Sequence, residues 1–168
     1  FWKRGQQGVH IYYYVWQLLA YLHARRLHRA IHFDVIHHVT FVTYWMPSFL
    51  ALLPVPFVWG PVGGGESAPK AFLKSFTARG RRFEHARKMA RRLGEHDAFV
   101  RQTARRAVSV LATTPETAAR VRRLGAQNVQ VLSQVALTAR DRARLGRLTI
   151  RTDAPFRVVS VGRLVDWK

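Results

Sequence analysis

AVSVLATTPETAARVRRLGAQNVQVL, residues 107 to 132, carries a complete strand–helix–strand signature. Ala107 to Ala112 is apolar and β-branched, which suits a strand. Thr114 stands where a helix needs a side-chain cap, and Pro115 takes the first helical position. Glu116 favours the positive end of the helix dipole. Ala118, Val121 and Leu124 follow at helical spacing, as an inner stripe, and Gly125 supplies a left-handed stop. Val129 to Leu132 returns as a strand. Two strands joined by one helix of this length predict parallel pairing and a right-handed crossover.

Working outward, residues 9 to 31 read as a helix, with Val15, Leu18, Leu19, Leu22 and Ala30 recurring on one side. His32 to Thr43 reads as a buried strand, and Phe57 to Trp59 as a second one ending at Gly60. YWMPSFLALL between them is a short helix or loop. Residues 70 to 106 are rich in Lys and Arg, with Glu84, Glu95 and Asp97 as the acids. Phe83, Ala86, Ala90 and Leu93 share one helical face there, and Arg81, Lys88 and Arg92 the opposite one. Such a basic amphipathic helix either packs its apolar face or meets an anionic membrane surface. Downstream, residues 138 to 155 are polar and arginine-rich and read as a linker. RVVSVGRLV, from Arg157, begins a new strand that runs into Gly162. The chain therefore reads as α/β: most of one domain over residues 1–150, then the start of another over 151–168. Opening on Phe1, it is expected to be a piece of a longer protein.

Composition narrows the classes. The 168 residues are 48% hydrophobic, which suits a packed core rather than disorder. The 28 basic and 9 acidic residues give a formal charge of +19, a field that concentrates anions. Arginine outnumbers lysine, so coding bias explains part of this charge as readily as function does. No cysteine occurs, which removes disulfides and thiolate metal sites and suits a reducing compartment. No Asp, Glu, Lys or Arg lies between Asp34 and Glu66, but Pro47, Pro54, Pro56 and Pro61 interrupt that run. Each proline removes a backbone donor that lipid cannot replace, so buried strands fit better than a membrane span.

Two glycine-containing turns follow strands. WGPVGGGES, residues 59 to 67, places Gly63, Gly64 and Gly65 at a strand's carboxyl end, where ligands enter α/β sheets. Its amides could face an anion or a sugar hydroxyl, and close packing of two backbones explains the glycines equally well. VGRLVDWK sets Arg163 and Lys168 within one short loop, a fork and a point charge that suit a diphosphate or simply water. No P-loop, dinucleotide fingerprint or nucleophile elbow is present. His37 and His38 end a strand and should face opposite sides of the sheet, one of them as a core histidine. The absence of thiols and of any D-x-D pair speaks against a metal site.

FDVIHHVTFVTYWMPSFL, PFVWGPVGGGES, VLATTPETAARVRRLGAQNVQVL and VVSVGRLVDWK, in that order, resemble the family 4 retaining glycosyltransferases. WGPVGGGE and VGRLVDWK are the most specific parts. The resemblance implies a partial GT-B fold, with an N-terminal acceptor-side Rossmann-like domain and the first strand of a donor-binding domain. It implies transfer of a sugar from a nucleotide sugar to a glycan or lipid-linked acceptor, with retention and without a metal or other cofactor. Arg163 and Lys168 would hold the donor diphosphate, and His37, His38, Gly63, Gly64, Gly65 and Glu66 would face the sugar or acceptor. The histidines depart from the family's H-x-H pattern, with Val39 at the third position, and Ser133 and Ala136 replace a customary proline and glycine. The implied setting is cytoplasmic, peripheral on the inner face of the membrane. The alternative is a non-enzymatic binder of RNA or another polyanion, against which the aromatics lie in apolar runs rather than among the arginines.

Overall fold

The computed structural model describes residues 9–39, 41, 43–133 and 138–148. Four strands form one parallel sheet in the spatial order of the chain: β1 (Ile36–His38), β2 (Phe57–Val62), β3 (Ala107–Ala112) and β4 (Val129–Val131). Ile36 pairs with Phe57, Trp59 with Val110, and Val110 with Val129. Helices α1 (Val9–Ile31), α2 (Ala78–His96), α3 (Ala98–Arg106), α4 (Pro115–Arg123) and α5 (Ala139–Gly146) accompany it, with 3-10 turns at Phe49–Leu52 and Lys70–Lys74. Successive parallel strands laid side by side, with right-handed crossovers, send their connections over one face of the sheet.

The predicted β3–α4–β4 unit is present. Thr114 Oγ1 accepts the Thr117 amide at 3.2 Å, Pro115 opens the helix, and Gly125 has φ +106°. Ala118, Val121 and Leu124 are all buried. Val121 and Leu124 join Val100 and Ala104 of α3, and Phe57, Trp59 and Val110 of the strands, in one buried cluster.

Several sequence-based expectations change. The His32–Thr43 strand shrinks to Ile36–His38, because His32 and Phe41 take φ near +49° and +48°, which extended pairing does not allow. Strand β2 instead runs past Gly60 to Val62 through a register shift after Trp59. Gly60 is required there: at φ +129°, a Cβ would lie 2.4 Å from the Leu111 carbonyl oxygen. Part of the expected linker is helix α5, closed by a reciprocal capping box between Thr138 and Asp141 and burying no residue. The strand from Arg157 lies outside the described residues.

Two helices bury a different face from the one their hydropathy suggests. In α1, Val15, Leu18, Leu19 and Leu22 are exposed, while Tyr13 and Gln17 are buried. The Tyr13 hydroxyl donates to Pro47 O at 3.1 Å; Gln17 donates to Tyr13 at 2.7 Å and accepts the Phe49 amide at 3.1 Å. The irregular segment after β1 needs these polar partners for its backbone, and α1 supplies them. In α2, Leu93 is 69% and Met89 53% exposed, and Phe83 is also exposed. The inner face carries Gly80, Glu84 and Arg91. The expected apolar packing face of α2 is therefore its outer face.

Candidate functional site

The loops after β1, β2 and β3 gather at the carboxyl end of the parallel sheet, where open α/β sheets receive ligands. The β2 loop is Gly63–Ser67. Gly63 accepts the Tyr44 amide at 3.2 Å and bridges to Thr43 in parallel sense, tying it to the β1 loop. Gly64 has φ +87°, and a Cβ on it would meet the Trp45 ring at 2.5 Å. A Cβ on Gly65 would meet Thr117 Cα at 2.5 Å and its nitrogen at 2.6 Å. The last two glycines are small because the β1 loop and the first turn of α4 press against them. Of the two explanations that the sequence allows for them, internal packing is the one visible here.

The Gly64, Gly65 and Glu66 carbonyls of this loop meet two arginines. Arg91, 2% exposed, donates to Glu66 O at 2.6 Å and to Ser67 Oγ at 2.9 Å, and reaches Gly64 O and Gly65 O at 3.5 Å. Arg120 of α4 donates through Nε to Gly65 O at 2.8 Å and through a terminal nitrogen to Glu95 at 2.8 Å. Glu95 also accepts the Tyr44 hydroxyl at 2.6 Å. One network thus joins the β1 loop, the glycine loop, α2 and α4. Burial works against the Glu95 carboxylate, but Tyr44, Arg120 and the charge of Arg123 outweigh it and hold it below the ordinary value. Burial works against the charge of Arg120 too, and Glu95 and Tyr44 raise it above its usual value. Arg91 moves down, by burial first and then by the charges of Arg120 and Arg87.

Glu66 does not hang free in the cleft. Its carboxylate accepts the Thr114 hydroxyl at 2.5 Å and the Thr117 hydroxyl at 3.1 Å, at the positive end of α4. Burial raises its proton affinity, but the two hydroxyls, its own amide and the charge of Arg87 bring it below the ordinary value. It is therefore ionised near neutrality and a weak base, an anchor for the loop. His37 and His38 face opposite sides of the sheet, as expected. His38 is buried, with Nδ1 2.6 Å from Ser48 Oγ, and is the core histidine. His37 is exposed and donates through Nε2 to Gly60 O at 2.8 Å, just before the glycine loop. The structure thus gathers Gly63–Gly65 and Glu66, sets His37 beside their strand and turns His38 away. Arg163 and Lys168 lie outside the described residues.

Arg91, Arg120 and Glu95 are missed by sequence reasoning, which counts the arginines among many surface cations. The one available signal is Glu84 and Glu95 themselves, acids within a strongly basic helix. Among the described residues no cluster of three or more His, Cys, Asp or Glu could hold a metal ion, and no helix is long and apolar enough to cross a membrane.

The family model for the glycosyl transferase 4-like domain matches residues 2–133. The chain belongs to that family, and its parallel α/β sheet is the Rossmann-like arrangement of a glycosyltransferase. Neither the curated proteins nor the solved structures contain a significant match to it.

Proposed function

We propose that this chain is the acceptor-side part of a retaining glycosyltransferase that takes its sugar from a nucleotide sugar. The observation that carries the reading is the Gly63–Ser67 loop, tied by Arg91 and Arg120 at the carboxyl end of the sheet in a chain of glycosyltransferase family. Its Gly65 and Glu66 carbonyls are committed to Arg120 and Arg91, so the loop presents a tethered surface, with His37 bonded to Gly60 just before it. The acceptor or the transferred sugar would rest there. Arg163 and Lys168 would neutralise the charge that develops on the departing diphosphate, a role fixed cations fill without a metal.

The acceptor is a glycan or a lipid-linked sugar, and the setting is the cytoplasmic face of a membrane. This rests on the outer face of α2, where Met89 and Leu93 are exposed beside the exposed cations Arg79 and Arg82. Screening donor consumption by the full-length parent across sugar nucleotides tests the chemistry, since this chain alone is expected to be inactive: Arg163→Ala combined with Lys168→Ala in the parent should abolish turnover, and full turnover by that variant would refute it. Flotation tests the setting. Binding should favour anionic vesicles and weaken with salt, and equal, salt-insensitive binding to neutral vesicles would rule it out.

A further inference from the structure

The first half of α1 is apolar on two opposite sides. Its inner side buries Tyr13 and Gln17, with Trp16 and Tyr21 packed partly against the core. Ile11, Val15, Leu18, Leu19 and Leu22 recur at helical spacing on the other side, and all five are exposed, Ile11 by 74%. A helix with apolar sides all round belongs inside a structure, and a contiguous exposed stripe of this kind marks a surface that something covers. The stripe ends at Leu22. Beyond it the exposed cations Arg25, Arg26 and Arg29 continue the same side. A second copy laid along the stripe in parallel would bring these arginines together. In the antiparallel sense it would set them against the positive end of the partner helix.

The topology says what the occupant is. Across the helical side of the sheet, α4 lies on β3 and β4, α3 on β2 and β3, and the Phe49–Leu52 turn on β1. Helix α1 packs against that turn, one step beyond the last strand. It leads into β1 as α3 leads into β3 and α4 into β4. Those two bring the chain over from the preceding parallel strand, and a right-handed crossover through α1 would start from a strand on the outer side of β1. That side is the edge of the described sheet. Ile36 donates its amide toward the β2 side, to Pro56 O at 2.9 Å, so the peptide groups of His37, one residue on, face outward. Val35 and Val39, flanking β1, are exposed, and no charged side chain within β1 blunts the edge. We propose that the parent polypeptide continues this sheet past β1. A helix–strand pair that precedes α1 adds a parallel strand to β1 and lays its helix on the Ile11–Leu22 stripe. A lipid surface would cover the stripe but leave the edge open; a helix–strand pair answers both. The inference is independent of the sugar chemistry and of the docking face of α2.

Thiol labelling tests this, since the chain has no cysteine of its own. Leu18→Cys stands in the middle of the stripe, and Gln127→Cys, exposed between α4 and β4, is the reference. In this chain both sites should react at similar rates, because Leu18 is 50% exposed. In the native parent, Leu18→Cys should stay unlabelled until denaturant is added, while Gln127→Cys reacts at once. Peptide mass mapping assigns the label, and the comparison of the two sites within the parent stands whatever the shorter chain does in isolation. Hydrogen exchange is the second readout: the His37 amide should exchange slowly in the parent and fast in this chain. Equal labelling of the two sites in the native parent would overturn the proposal. So would protection of Leu18→Cys that appears only with anionic vesicles, or that grows with the concentration of this chain; these would assign the stripe to a lipid surface or to a second copy. A protected thiol beside a freely exchanging His37 amide would overturn the added strand.

Discussion

Replacing Arg91 by methionine should cost this domain about 3–5 kcal/mol of stability. The side chain is 2% exposed, and methionine roughly preserves its apolar stem, so little of the loss comes from packing. Two hydrogen bonds are close, to Glu66 O at 2.6 Å and Ser67 Oγ at 2.9 Å. Each, with a charged donor, contributes about 1.5–3 kcal/mol. The contacts at 3.5 Å to Gly64 O and Gly65 O are at the geometric limit and add little. Glu84, itself buried, loses a cation 3.9 Å away but keeps Arg87 at 3.4 Å, so its carboxylate is not stranded. Replacing a whole buried ion pair by apolar groups can be neutral; removing one arginine from unpaired carbonyls cannot. Urea unfolding followed by circular dichroism measures it, as a lower midpoint with an unchanged slope. Arg91→Lys, which keeps the charge but not the fork, should recover about half the loss. A methionine variant within about 1 kcal/mol of the parent, at equal slope, would refute the claim that this arginine holds the glycine loop.

Two other outcomes follow from the same loop. Gly65→Ala should destabilise by about 1–3 kcal/mol, because its Cβ would run into the backbone of Thr117, whereas Gly146→Ala, with nothing within 4 Å, should stay within about 0.5 kcal/mol in the same assay. Glu95 is held below its ordinary value of 4.5, so the folded carboxylate loses its proton more readily than the unfolded one. Its contribution is present above pH 4.5 and disappears as pH falls through the lower, folded value. Glu95→Gln should therefore flatten the acid limb of urea midpoint against pH; an unchanged limb would show that the Tyr44–Glu95–Arg120 network does not couple to folding.

Residues 107 to 132 were legible because every signal in them is local. Thr114 caps an amide three residues away, Pro115 presets one φ, and Gly125 ends the helix at a positive one. The span of α1 was legible for the same reason. The inward face of α1 and of α2 was not. Hydropathy ranks side chains by their cost of leaving water, and that cost changes once a partner is present. Gln17 is buried because Phe49 needs an acceptor 32 positions away, and Arg91 because the Glu66 carbonyl needs a donor 25 positions away. Likewise the three glycines announce a tight place without saying what fills it, and Trp45 and Thr117 come to them from other loops. The sequence by itself determined the β3–α4–β4 unit, the span of α1 and the parallel α/β class, since those depend on neighbours along the chain. Tertiary structure alone decided which polar groups lie inside, since a buried charge or amide is tolerated only where the fold brings its partner.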